Sequence, residues 1–307
     1  MRVLFVCSGN KKNGQPGVVV NNQAKSLIEN GVEIDFYLIS EKGVKGYLKA
    51  VKPLITTLRN SNYSAVHSHF SLSAFVTSFA LIRMKNKSIK HVVSLMGSDA
   101  LLKGWKRRLT RYFNNKNWSV TIVKSESMAK DLNLKNYHVI PNGVDVNTLL
   151  PCGDVAYTKG VLFAADPKRE SKNFDLAKKA FELITDKSIK LNVIFNVPHK
   201  EIVKAINQSE CVLLTSKWEG SPNIIKEAMA CNRPIVATKV GDVPWLIQGL
   251  DGCFLVDHDP VEVANKISEA IRFNSNNSGT KGRLRIEELE LSSIQIAKKI
   301  SSLYMLN

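Results

Sequence analysis

The segment CVLLTSKWEGSPNIIKEAMACNRPIVAT, Cys211 to Thr238, decides the fold. CVLLTS is a short apolar run ending at Ser216 and reads as a buried strand. Glu219, Gly220, Ser221 and Pro222 form a turn, and a helix is expected from Asn223 to Ala230. RPIVAT then reads as the next strand. Strand, turn, helix, strand is the repeating unit of a parallel sheet covered by helices.

The same alternation continues in both directions. Before the segment, KGVLFAAD is a strand, 173–185 a helix, LNVIFNV a strand and 199–208 a helix. In the first half, Val3 to Cys7 reads as a strand and Val18 to Asn30 as a helix. Glu33 to Ile39 and Ser64 to His67 follow as strands, 72–82 as a helix and His91 to Leu95 as extended chain. The pattern pauses at IPNGVDVNTLLPCGD, where Pro141, Asn142, Gly143, Pro151 and Gly153 are turn formers. The expectation is an α/β protein of two Rossmann-like domains facing across a cleft. The first spans 1–145 and the second 146–290, with a last helix at about 291–307 packing back on the first. The polar run FNSNNSGTKG, residues 273–282, reads as a mobile loop before that helix.

At 307 residues and 44% hydrophobic composition, the chain suits two domains of ordinary size. It contains no apolar run long enough to span a bilayer, and MRVLFVCSG lacks a signal-peptide layout. Cys7, Cys152, Cys211, Cys231 and Cys253 are scattered without a C-x-x-C pair, which favours small core residues in a reducing compartment. The formal charge is +16, and residues 1–150 carry 22 Lys and Arg against 8 Asp and Glu, leaving 21 against 19 in the remainder. A basic first half points to an anionic partner. LLKGWKRRLTRYFNNKNW places Leu101, Trp105, Leu109, Tyr112 and Phe113 at helical spacing among Lys103, Lys106, Arg107, Arg108 and Arg111. This pattern fits a helix on an anionic membrane surface, and equally a helix packed into its own domain with solvated charges. No nucleic-acid motif accompanies the charge, so no nucleic-acid partner is expected.

In a doubly wound sheet, ligands bind at the carboxyl ends of strands and at helix N-termini. Gly220 lets the backbone approach a ligand, and the first-turn N–H groups of the helix from Asn223 suit a phosphate. Glu219 and Glu227, eight positions apart, suit sugar and ribose hydroxyls beside such a phosphate. The same residues also fit a capping turn before an ordinary amphipathic helix.

Glu219, Gly220, Pro222, Glu227, Ala228, Met229 and Ala230 resemble the E-G-x-P-x-x-x-x-E-A-M-A signature of retaining glycosyltransferase family 4. IPNGVD at Ile140 to Asp145, TIVKSESMAKDL, SLMGSD at Ser94 to Asp99 and VHSHF are similar to further motifs of that family. The resemblance implies the GT-B fold and transfer of a sugar from a nucleotide-sugar donor. It implies that Glu227 holds the ribose, Glu219 the donor sugar, and the backbone of Ser221, Pro222, Asn223 and Ile224 the diphosphate. The family's basic loop matches FAADPKRESKNF through Lys172, with Lys168 or Arg169 standing in for an arginine replaced here by Asp166. Gly17 is expected near the reacting sugar, and His69 and Asp99 on the acceptor side, while Met96 stands where the family carries a histidine.

The implied reaction needs no cofactor and no metal. Asp257-His258-Asp259 is an Asp-x-Asp, but it precedes Pro260 and a helix, so capping explains it better. Gly9, Gly14 and Gly17 do not form G-x-G-x-x-G, which argues against a dinucleotide site. The implied acceptor is a glycan or lipid-linked intermediate, met in the cytoplasm or at the cytoplasmic face of a membrane. The alternatives are a non-catalytic partner subunit of the same fold, a nucleotide-sugar epimerase, or a glycan phosphorylase. The last should carry a cofactor-lysine motif that is not found.

Overall fold

The computed structural model describes residues 1–9, 14–41, 43–85, 88–152, 160–277 and 279–305. The chain divides into two compact units, Met1–Gly143 with Ser293–Asn307, and Val144–Ser292.

Unit 1 is built on a six-stranded parallel sheet in the order β2-β1-β3-β4-β5-β6. Its strands are β1 (Arg2–Ser8), β2 (Glu33–Ile39), β3 (Ala65–His69), β4 (Lys90–Ser94), β5 (Val120–Val123) and β6 (His138–Val139). Its helices are α1 (Val18–Glu29), α2 (Gly43–Arg59), α3 (Ser71–Met84), α4 (Gly104–Lys116) and α5 (Glu126–Leu132). The central strands are buried along nearly their whole length, as parallel strands covered on both faces must be. The order turns back between β1 and β3, which makes their carboxyl ends a topological switch point.

Helix α2 has no counterpart in the sequence reading. Pro53 lies inside it and removes one ladder hydrogen bond, but Leu54, Ile55 and Leu58 are buried against the sheet and hold it. The last helix, α12 (Ser293–Met305), returns to unit 1 and packs beside α1, with Asn30 Nδ2 donating to Ser301 Oγ at 3.0 Å. Tyr304 Oη meets His67 Nδ1 at 2.6 Å in the interior.

Unit 2 has a five-stranded parallel sheet in the order β11-β10-β9-β7-β8. The strands are β7 (Gly160–Phe163), β8 (Lys190–Val193), β9 (Cys211–Leu214), β10 (Ile235–Thr238) and β11 (Cys253–Val256). The helices are α6 (Phe174–Leu183), α7 (His199–Gln208), α8 (Asn223–Ala230), α9 (Val243–Ile247), α10 (Pro260–Asn277) and α11 (Gly282–Glu288). The core joins Val161, Leu213 and Val236 of the sheet to Leu176 and Ala180 of α6 and to Ile267 of α10. Here the switch point lies between β7 and β9.

The polar run expected as a loop at 273–282 begins as helix, because α10 continues to Asn277. Asn274 is buried and donates to Glu210 Oε2 at 2.7 Å, which supplies the tertiary contact the composition does not advertise. Ser278 lies outside the described residues. All five cysteines are free, but Cys152 is exposed and does not join the core as expected.

Candidate active site

In unit 2 the loops after β7 and β9 meet at the switch point. Thr215 Oγ1 donates to the carbonyls of Lys172 and Asn173, each at 3.0 Å, and Lys217 N donates to Ser171 O at 2.9 Å. These bonds clamp the Lys172 loop onto the end of β9. Asn173 there is in the left-handed region at φ 50, which asparagine tolerates better than most residues. Lys172 Nζ consequently forms an ion pair with Glu219 Oε1, and both side chains are largely buried. Ser216 Oγ donates to the same oxygen at 2.7 Å. The Ser216 carbonyl is in turn held by Thr238 Oγ1 at 2.7 Å and His258 Nε2 at 3.2 Å.

Pro222 is the N-cap of α8 and has no side chain able to bond the first-turn N–H groups. The turn ahead of α8 is braced from behind. Lys226 is almost fully buried and donates to Ser221 Oγ at 3.0 Å. Burial pushes its pKa down to about 8, against the opposing pull of Asp242 and Glu227. Burial pushes the Asp242 carboxyl up to about 6, partly offset by Lys226. Asp242 N donates to Gly220 O at 3.1 Å. Gly241 precedes it at φ 56, and a Cβ there would collide with the carbonyl oxygens of Gly220 and Glu219. The β10–α9 loop thus fixes the Glu219–Gly220 turn from a second side.

Glu227, one helical turn into α8, is mostly buried, and its Oε1 meets His199 Nε2 at 3.0 Å. The hydrogen bond to Glu227 raises the His199 pKa above the ordinary histidine value, against partial burial and with help from Asp145. A raised pKa means that the charged pair stabilises the fold fully below about pH 6.5, and that this contribution fades as pH rises through the raised value. An NMR titration should place His199 above the ordinary range and return it toward that range in Glu227→Gln. No difference between the two proteins would dissolve the pair.

Each unit matches a model of one enzyme group. Residues 11–148 match "Glycosyltransferase Family 4" and residues 177–272 match "Glycosyl transferases group 1", so the two together cover most of the chain. The chain is a GT-B glycosyltransferase similar to family 4. An uncharacterised glycosyltransferase of Methanocaldococcus jannaschii is 28% identical over 280 residues, covering 81% of this chain and 76% of that protein. N-acetyl-alpha-D-glucosaminyl L-malate synthase of Bacillus anthracis is 21% identical, covering 95% and 93%. Among solved structures, Anabaena HepE in complex with UDP and glucose superposes with a TM-score of 0.80 over the whole of both chains at 17% identity, a likeness of GT-B fold.

Within this glycosyltransferase, Lys172, Glu219, Gly220, Ser221, Pro222, Asn223 and Ile224 lie together at one switch point. Lys168 and Arg169 do not join them through their side chains, which stand exposed; Lys168 touches the loop through its backbone N–H to Asp166 Oδ1 at 3.0 Å. Gly17 is the exposed N-cap of α1, and a Cβ there would meet nothing within 4 Å. Asn10 to Asn13 of the same turn lie outside the described residues.

The two residues expected on the acceptor side are both buried in unit 1. His69 ends β3 fully buried, stacked on His67 at 4.4 Å, and burial with nearby Lys124 drives its pKa down to about 3. Asp99 is buried and spends its carboxylate on Ser71 Oγ at 2.7 Å, Met96 N at 2.8 Å and Ser71 N at 3.2 Å, tying α3 to the loop after β4. Asp259 caps α10 through Val261 N at 3.1 Å, as a capping residue should. The sequence reading missed Ser216 and Lys226, which brace the Glu219 turn from within the same segment, and Gly241, Asp242 and His199, which act on that segment from other elements.

Proposed function

We propose that this glycosyltransferase moves a sugar from a nucleoside diphosphate sugar to a glycan or lipid-linked polysaccharide intermediate, with retention of configuration and without a metal ion. The observation that carries the donor half is the Lys172–Glu219 pair beside the uncapped N-terminus of α8. Cleaving the bond to the nucleotide leaves negative charge on the diphosphate and positive charge on the sugar. A lysine and a helix N-terminus at the switch point stabilise the departing diphosphate. Glu219, bound to Lys172 and Ser216, is placed to accept donor hydroxyls. Glu227, held by His199 through one oxygen, keeps its other oxygen for the ribose. HepE, with UDP and glucose bound, supports this class of donor. Retention and the acceptor class follow from the family resemblance. No helix among the described residues is long and apolar enough to cross a membrane.

Calorimetry with UDP, run in the presence of a chelator, tests the donor site. Binding should persist, and Glu227→Ala should weaken it by roughly 1–3 kcal/mol, the range for losing charge-assisted hydrogen bonds. Unchanged affinity in the variant would remove Glu227 from the site. Binding that requires a divalent ion would overturn the metal-free reading.

A further inference from the structure

From Lys42 to Ser125 the chain carries sixteen Lys and Arg and a single acidic residue, Asp99. Asp99 is buried and fully engaged, so the span offers solvent no negative side chain. The fold concentrates this charge. The connections β2–α2–β3, β3–α3–β4 and β4–α4–β5 all step across the sheet in one direction. Right-handed crossovers therefore lay α2, α3 and α4 side by side on one face, and α3 packs against both neighbours.

The outer surface of that layer is apolar at its centre and basic at its flanks. Helix α3 is buried almost throughout but exposes Phe79 and Ile82, at 40% and 51%. On α4, Trp105 and Tyr112 are two turns apart and so share one side, exposed at 53% and 57%. Phe79 and Tyr112 both pack edge-on against buried Phe113, with ring centroids 5.5 Å apart in each case, which makes the patch continuous across the two helices. Arg108, Arg111 and Lys116 are exposed along α4, and Lys45 and Lys52 along α2. Lys106 Nζ lies 5.8 Å from the Trp105 ring centroid.

We propose that this face docks on the surface of an anionic lipid bilayer. Exposed aromatic and aliphatic side chains enter the interfacial region while flanking cations meet lipid phosphates. A second copy of the chain is a poor occupant, because cations far outnumber acids on this face, Glu41 beside Lys49 of α2 included, and two such faces repel. A nucleic acid would use the cations but gains little from Ile82 or Phe79. The inference goes beyond sugar transfer and stands or falls without it.

Sedimentation of the full chain with vesicles tests the proposal, comparing phosphatidylcholine alone with an equal mixture of phosphatidylcholine and phosphatidylglycerol. The chain should pellet with the mixed vesicles only, and release at 1 M salt, where the Debye length falls to about 3 Å. Arg108→Ser with Arg111→Ser and Lys116→Ser should weaken partitioning about 100-fold, given the usual contribution of each cation near an anionic surface. Lys178→Ser with Lys179→Ser and Lys204→Ser removes the same charge from exposed positions of unit 2 and should leave partitioning unchanged. Ile82→Ser with Trp105→Ser, at constant charge, should also release the chain. Equal pelleting with both vesicle types, equal loss in the two triple variants, or full retention by the apolar variant would each overturn the proposal. Unchanged melting temperatures and UDP affinity in every variant would show that loss of partitioning is a loss of docking rather than of fold or donor site.

Discussion

Lys172→Ala should lower turnover by about 100-fold or more, the scale seen when one transition-state donor is lost. The side chain is well placed for such an effect. It is largely buried, held by a loop that Thr215 fastens to the end of β9, and paired with a carboxylate that two donors share. Lys172→Arg is a useful companion, since it keeps the charge but not the reach. Nucleotide affinity should fall less than turnover, because the charge on the diphosphate grows as the glycosidic bond breaks. Steady-state rates with a nucleotide-sugar donor, with donor hydrolysis as a fallback readout, decide the matter. A Lys172→Ala enzyme with near wild-type turnover would reduce the pair to a structural clamp.

The second large effect is expected in stability. Asp242→Ala removes the buried carboxylate whose charge opposes the desolvation of nearly buried Lys226, and should destabilise unit 2 by about 1–3 kcal/mol, the cost of leaving a buried polar group uncompensated. Adding Lys226→Met should recover a large part of that loss, because the uncompensated charge disappears. The double variant should nevertheless bind nucleotide poorly, since Lys226 braces Ser221 in the turn ahead of α8. Chemical denaturation of the single and double variants measures the coupling. Additive losses would mean that the two groups do not interact.

The strand-turn-helix around Glu219 was legible in the sequence because the signals for its elements are local, although its bracing is not. An apolar run, a Gly-Ser-Pro turn and an amphipathic octapeptide mark β9, its turn and α8 in one continuous stretch. Helix α2 was not legible, since Pro53 signals a break and only burial of Leu54 and Leu58 overrides it. The end of α10 failed for the opposite reason: Asn and Ser dominate its composition, and the bond from Asn274 to Glu210 reaches back to the entrance of β9. His69 and Asp99 matched motif positions, yet a motif does not say whether a side chain ends in solvent or in the core. The bracing of the site, Lys226 with Asp242 and His199 with Glu227, joins residues far apart in sequence. Nothing in the one-dimensional pattern pairs them.

Unit 1 is discontinuous, because its last helix arrives only after all of unit 2 has been made. On the ribosome, unit 2 emerges as an uninterrupted stretch, Val144–Ser292, and is complete before α12 is made. Unit 1 emerges first but waits for α12, and until then the His67 ring lacks Tyr304 and α1 lacks the helix beside it. Synthesis order and completion order are therefore reversed between the two halves. A nonsense mutation within the codons of α12 would therefore strike the folding of the amino-terminal half, although its own strands had long been made.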